Sequence, residues 1–375
     1  MAPSLRVALT LEQCWHRVPG GTAVAALGMA RALAERDELE VLGVAALHRA
    51  PPAPPWAPPV QVHGLPLPRV ALYEAWHRLR WPSVERATGT VDLVHATSIA
   101  VPPRSVPLLV TIHDLAFLKE PSHFTARGLR FFHRGLELAR DHADLVLCSS
   151  EATMRDCLEA GFATPKLRHV PLGVDATPAD PESVDRVRRS YGLGRPYVLW
   201  IGTIEPRKNL PRLLQAFAAL DADVDLVLVG PKGWKEDLDA LLGDARERIR
   251  VLGFVPLADL AALYAGASVF CLPSLLEGFG FPVLEAMAQG TPVVTSRGTS
   301  TEELAGGAGV LVDPLDSKDI ARALARVLAD PPRARALGDA GIARAAVFSW
   351  KRTADLVAGA YGELAGAVSR PQDHA

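Results

Sequence analysis

The stretch that most constrains this chain is residues 270–295, FCLPSLLEGFGFPVLEAMAQGTPVVT. An apolar run over residues 269–272 reads as a buried parallel strand. It breaks at a Gly-rich turn, Glu277-Gly278-Phe279-Gly280-Phe281-Pro282. A short apolar helix over residues 283–289 follows, stopped by Gly290, and a second apolar strand starts at Pro292. Proline in the first helical turn loses nothing by lacking an N–H. The amides of Val283 and Leu284 are then expected to leave the helix end unpaired, backed by about half a positive charge from the macrodipole. Gly278 and Gly280 let the backbone come close to a ligand, so this turn, with Phe279 and Phe281, makes a phosphate seat from main chain alone. Glu277 and Glu285 stand eight residues apart on either side of it. A carboxylate gains nothing by touching phosphate, so each is expected to accept hydrogen bonds from hydroxyls. A molecule with a sugar at each end and phosphates between is a nucleotide sugar. The bland alternative leaves Glu285 complementing the helix dipole and Glu277 solvated.

The rest of the chain alternates apolar strand-like runs with amphipathic helical stretches, the pattern of parallel α/β sheets. At 375 residues, 49% of them hydrophobic, it can bury two cores. Two domains are expected: residues 1–175, then 176–348 after a Pro-rich linker, with 349–375 a final helix and tail. A net charge of −2 gives no reason to expect nucleic acid as a partner. The four cysteines are scattered without a C-x-x-C, which favours buried thiols in a reducing compartment. No signal pattern or membrane-length apolar run is seen, so a cytoplasmic location is expected.

Several positions carry chemistry by type and place. Gly20 and Gly21 open a helix after the first strand, without the G-x-G-x-x-G spacing of a dinucleotide site. His113 and Asp114 end a strand, where α/β sheets put ligand groups, although a lone histidine is more often satisfied by backbone. Ser149-Ser150-Glu151 reads as an N-cap. Arg207 and Lys208 follow another strand and suit a diphosphate that gains charge as it leaves. Asp221-Ala222-Asp223 resembles a metal-binding D-x-D but precedes a strand, and is rejected. Residues 69–86 and 127–134 are basic, the first also aromatic. They read either as helices packing an aromatic stripe inward or as a peripheral contact with the inner membrane surface.

The segment EGFGFPVLEAMAQGTPVV resembles the E-x7-E signature of retaining glycosyltransferases with two Rossmann-like domains, the GT-B fold of family 4. GTIEPRKNL resembles their second hallmark and TIHDLAFLKEPSHF a third, and the likeness covers nearly the whole chain. The resemblance implies two doubly wound domains facing across a cleft. It implies that Glu277 contacts the donor sugar, Glu285 the ribose, Arg207 and Lys208 the phosphates, and His113 a sugar hydroxyl. It implies that Asp114 and Ser150 shape the acceptor side, and that Gly20, Gly21 and Gly202 lie near the donor. Gly253, Phe254 and Val255 would cradle the base through backbone groups. The look is closest to GDP-mannose-dependent mannosyltransferases acting on a glycan, lipid-linked or small-molecule acceptor, with a UDP-sugar as the alternative donor. No cofactor or metal is expected, since the two cations can stabilise the diphosphate. A nicotinamide enzyme would need the missing glycine motif, and a phosphorylase a longer chain. A non-catalytic binder of sugar nucleotides would keep the fold but not the full set His113, Arg207, Lys208, Glu277 and Glu285.

Overall fold

The computed structural model describes residues 4–16, 19–231 and 247–368. The chain divides into two compact units, Met1–Gly173 with Trp350–Ala375, and Val174–Ser349.

The first unit is built on seven parallel strands: β1 (Leu5–Thr10), β2 (Leu39–Ala45), β3 (Val62–Gly64), β4 (Leu93–Ala96), β5 (Leu108–Ile112), β6 (Leu145–Cys148) and β7 (Leu167–His169), in the order β3-β2-β1-β4-β5-β6-β7. Strands such as LLVTI of β5 are buried end to end, as expected of parallel strands covered on both faces. The order reverses between β1 and β4, the switch point where open α/β sheets bind ligands. The helix Trp350–Val368 belongs to this unit. Its Tyr361 hydroxyl meets His95 Nδ1 at 2.7 Å, and His95 Nε2 meets Thr111 Oγ1 at 2.7 Å, all inside the core. Arg36–Asp355 and Arg168–Glu363 pairs tie the same helix at the surface.

The second unit has six parallel strands: β8 (Tyr197–Ile201), β9 (Asp225–Val229), β10 (Ile249–Gly253), β11 (Val269–Leu272), β12 (Val293–Ser296) and β13 (Val310–Val312), in the order β10-β9-β8-β11-β12-β13. This is the doubly wound Rossmann order, and its switch point lies between β8 and β11. Glycines close the carboxyl ends of β8, β9 and β10. Gly202 N–H donates to Val229 and Gly230 N–H to Gly253, and a Cβ on Gly230 would run into the Gly202 carbonyl.

The basic, aromatic stretch takes its packed form. The helix Arg69–Arg78 buries Trp76, whose Nε1 donates to the Pro82 carbonyl at 3.0 Å. Arg80 donates to the carbonyls of Trp76, Val101 and Pro102. Phe131, on the helix Ala126–His142, stacks on Tyr73 and His77. No described helix is long and apolar enough to cross a membrane.

Candidate functional site

Beyond β8, the chain turns through Gly202 into a short 3-10 turn, Pro206–Lys208, and Asn209 ends it in the left-handed conformation with φ 58°. Asparagine tolerates that region better than most residues. Its side chain then donates to the carbonyls of Pro273 (2.8 Å) and Pro314 (2.6 Å), and Leu275 N–H donates to the Arg207 carbonyl at 2.8 Å. These bonds stitch the loop after β8 to the loop after β11, across the switch point.

The stitching brings Arg207, Lys208 and Glu277 together. Lys208 Nζ lies 2.5 Å from Glu277 Oε1, and Arg207 Nη1 lies 2.9 Å from Glu277 Oε2. Ser274 Oγ donates to Oε1 at 2.7 Å, and Glu205 Oε1 forms an ion pair with Arg207 Nε at 2.6 Å. The Lys208 and Glu277 side chains are 7% and 6% exposed, so this pair is desolvated and strong in consequence. Burial alone would raise the Glu277 carboxyl. The charges of Lys208 and Arg207 overcome that and hold it at about 2. Lys208 is itself pushed below its ordinary value, chiefly by burial and against the pull of Glu277. Two cations and two carboxylates, Glu205 and Glu277, leave the cluster formally neutral.

The structure adds to the sequence expectation a pairing that the sequence did not show. Glu277 was expected to meet hydroxyls while Arg207 and Lys208 met phosphate. In the structure Glu277 occupies both cations itself. A correction concerns the helix Phe281–Ala288. Its N-cap, Gly280, sits at φ 112°, and Val283 N–H donates to the Gly280 carbonyl at 2.9 Å. The Val283 amide therefore closes the first turn instead of standing unpaired. The Gly280 conformation leaves no room for a side chain: a Cβ would come 2.8 Å from Thr301 Cγ2. Ser300 Oγ holds the turn, bonding the carbonyls of Glu277 (2.8 Å) and Phe279 (2.9 Å).

Glu285 lies in the same helix, four residues after Phe281. Its Oε2 accepts the Tyr264 hydroxyl at 2.7 Å, from the neighbouring helix Leu257–Ala265. Burial raises the Glu285 carboxyl above its ordinary value, the Tyr264 bond opposes that, and the charge of Asp175 adds to it. At the end of β10, Gly253 has φ 66°, Val255 is buried, and Phe254 is 73% exposed, so the ring itself is presented along with the backbone.

In the first unit the switch point carries a hydrogen-bonded site with one histidine. His113, just past β5, directs Nε2 to the Thr97 carbonyl at 3.1 Å. A carbonyl can only accept, so Nε2 carries the proton and, in the neutral ring, Nδ1 is left as an acceptor. Burial lowers the pKa of this imidazole, so it is neutral at pH 7. Thr97 is fixed in turn by Gln13, whose Nε2 lies 2.6 Å from Thr97 Oγ1, and by its own N–H to Thr10 Oγ1 at 3.0 Å. Ser149 Oγ (3.3 Å) and Thr153 Oγ1 (3.0 Å) donate to the His113 carbonyl. Asp114 is exposed and turns its Oδ1 to the Ala116 N–H. Ser150 is wholly buried as the N-cap of the helix Glu151–Glu159, accepting Thr153 N–H at 3.0 Å. Gly20, at φ 62°, and Gly21 open the helix Gly20–Ala34 on an exposed edge.

Sequence reasoning missed Glu205, Ser274, Ser300, Thr153 and Tyr264. Glu205 and Ser274 sit within three residues of recognised positions, and that proximity was the only signal for them. Tyr264 had none, since a tyrosine in an Ala/Leu-rich helix reads as core.

Two parallel doubly wound units with a charged switch point define the class of GT-B glycosyltransferases. Residues 195–330 match the family described as glycosyl transferases group 1, and residues 19–178 match Glycosyltransferase Family 4. The O-antigen chain mannosyltransferase B of Escherichia coli is 34% identical over 281 residues, covering 72% of this chain and 74% of that protein. The MMP alpha-(1->4)-mannosyltransferase of Mycolicibacterium hassiacum is 33% identical, covering 75% of this chain and 72% of that one. The Anabaena HepE structure in complex with UDP-glucose has a TM-score of 0.74 at 21% identity, covering 96% of this chain and all of that one. The chain belongs to the family 4 glycosyltransferases.

Proposed function

We propose that this protein moves a hexose from a nucleotide sugar, with GDP-mannose the favoured donor, to a hydroxyl of a glycan, lipid-linked or small-molecule acceptor. The pairing of Arg207 and Lys208 with a buried carboxylate at the β8/β11 switch point carries the reading. Two cations fixed there suit a diphosphate, and the glutamates flanking the helix Phe281–Ala288 suit hydroxyls at its two ends. Mannose as the sugar is supported by the two mannosyltransferase relatives.

On donor binding, the phosphates take Arg207 and Lys208 from Glu277, and sugar hydroxyls take their place on its carboxylate. As the sugar–phosphate bond breaks, charge grows on the leaving oxygen, where the two cations are already fixed. Glu285, oriented by Tyr264, accepts from the ribose, and His113 Nδ1 accepts from a sugar hydroxyl. With Glu277 engaged by the sugar hydroxyls, departure and attack on one face, with retention, are favoured over a glycosyl–Glu277 intermediate. The cations do the work that a metal does elsewhere, so transfer proceeds without one.

The test is thermal-shift binding of GDP, UDP, ADP and dTDP at matched concentration in EDTA. A ligand that binds only the native state raises the melting point by mass action. GDP is expected to give the largest shift. A larger UDP shift would replace the donor and keep the site, and no shift from any of the four would overturn the reading.

A further inference from the structure

The helix Phe281–Ala288 keeps one row open. Val283, Leu284, Ala286, Met287 and Ala288 are buried, whereas Phe281, Glu285 and the C-cap residue Gln289 are half-buried. Spaced by four, these three stand on one face. The Gln289 amide grips backbone at two points. Its Nε2 donates to the Thr177 carbonyl at 2.9 Å, and its Oε1 accepts the Ala179 N–H at 2.8 Å. Residues 174–179 belong to no helix or strand, and this side chain bonds them as a neighbouring parallel strand would.

The other end of that segment is tied near the start of the same helix. Val174 N–H donates to the Phe348 carbonyl at 2.9 Å. The Phe348 ring meets Phe279 edge to face, with centroids 6.3 Å apart. Arg344 lies over the Phe348 ring, 4.8 Å from its centroid, while donating to the carbonyls of Leu304 and Glu303. Phe279 sits in the turn that precedes the helix, and Gln289 ends it, so residues 174–179 run beside the helix in the opposite direction. Five residue steps reach about 17 Å when extended. The eight steps from Phe281 to Gln289 rise about 12 Å, so the segment is long enough to pass the whole row. Asp175 falls between the two ties, alongside Glu285. The electrostatics agree with that placement. Burial raises the Glu285 carboxyl, the bond from Tyr264 on the helix Leu257–Ala265 opposes it, and the charge of the exposed Asp175 adds to it.

We propose that residues 174–179 wall the ribose side of the donor site, and that Gln289 is the positioning residue that holds this wall beside Glu285. Naming the occupant a ribose rests on the glycosyltransfer reading; the attachment of the segment does not. A wall already fixed carries no ordering cost on binding, so its effect falls on nucleotide release more than on capture.

The test uses Gln289→Ala and Asp175→Asn in the full chain, singly and together. Dissociation of GDP and UDP is followed by stopped flow, and the Glu285 carboxyl of the ligand-free protein is titrated by 13C NMR, assigned through Glu285→Gln. Gln289→Ala is expected to speed nucleotide release about ten-fold, in line with two lost hydrogen bonds. A neighbouring negative charge raises a carboxyl pKa, so Asp175→Asn should move the Glu285 midpoint to lower pH. Gln289→Ala should do the same, and Asp175→Asn should then add little in the Gln289→Ala background. A Gln289 that merely supports the fold would lower the melting point and leave the Glu285 midpoint in place, which overturns the proposal. So does an Asp175→Asn shift of equal size in both backgrounds. Asp175 is exposed, so its variant keeps the fold and tests the placement by itself: an unmoved midpoint there overturns it too. If no nucleotide binds but Gln289→Ala lowers the midpoint, the function reading fails and the held segment stands.

Discussion

The two switch points do the same topological job with opposite electrostatics. In the second unit, four ionised side chains, Glu205, Arg207, Lys208 and Glu277, lock into a buried ladder that sums to no charge. In the first, neutral groups, Thr10, Gln13, Thr97 and a neutral His113, form a hydrogen-bonded chain with a single acceptor nitrogen left over. On the proposed function, the difference follows from what each end must handle. A departing diphosphate needs fixed positive charge, and fixed positive charge in a buried site needs carboxylates to balance it. Hydroxyls need only a well-aimed acceptor.

The largest effect that sharpens this contrast is at Lys208. Lys208→Ala removes the cation most desolvated around Glu277 and is expected to lower turnover by about 10²–10³-fold, the usual loss for one fixed group that stabilises developing charge. Diphosphate affinity should fall far less. Rates and calorimetry on the same preparation decide the point, and an unchanged turnover would remove Lys208 from the leaving-group role.

Glu277 breaks the comparison in a less intuitive direction. Because its carboxylate holds both cations, it is expected to compete with phosphate for them. Glu277→Gln should cost about 10²-fold in transfer, yet tighten GDP or UDP binding by about ten-fold or more, since a hydrogen bond to a charged partner is worth about 1.5–3 kcal/mol. Damage to the fold weakens binding, so a gain in diphosphate affinity is a signature that structural loss does not mimic. Equal or weaker binding by calorimetry would refute the competition.

The strand–turn–helix–strand order around Glu277 was legible because apolar runs, glycines and Pro282 punctuate it unambiguously. The positions of Arg207, Lys208 and Glu277 were legible too, but their mutual pairing was not. Sequence spacing of about seventy residues says nothing about which carboxylate neutralises which cation until the β8 and β11 loops are stitched by Asn209. The basic stretch 69–86 shows the same limit. The sequence marks Arg69 and Arg80 alike as charges of one basic, aromatic stretch, whereas the structure gives Arg80 three carbonyls and leaves Arg69 with none.

A smaller effect is expected at His113. His113→Ala removes one neutral acceptor, so kcat/KM should fall roughly ten-fold, in line with a single hydrogen bond of about 1 kcal/mol plus lost positioning. His113→Asn, which keeps an acceptor, should recover part of it. A fall as deep as that for Lys208→Ala would mean that the first unit's site carries charge after all.

The smallest effect tests Glu285 through Tyr264. The phenol donates to Glu285 Oε2 and so favours the carboxylate, opposing the burial that raises its pKa. A ribose hydroxyl donates more strongly to the ionised form. Nucleotide affinity should therefore fall on acidification through a pKa above that of an ordinary glutamate, while Glu277, held at about 2, stays ionised throughout. Tyr264→Phe keeps the ring packing and removes only the hydroxyl. Affinity near neutral pH should drop about two- to ten-fold, the range of one net hydrogen bond. The acidic limb should also move to higher pH, because the remaining terms at Glu285, burial and the charge of Asp175, both act upward. A packing defect would lower affinity evenly across pH. A limb that stays in place would show that Tyr264 supports the helix but does not set the state of Glu285.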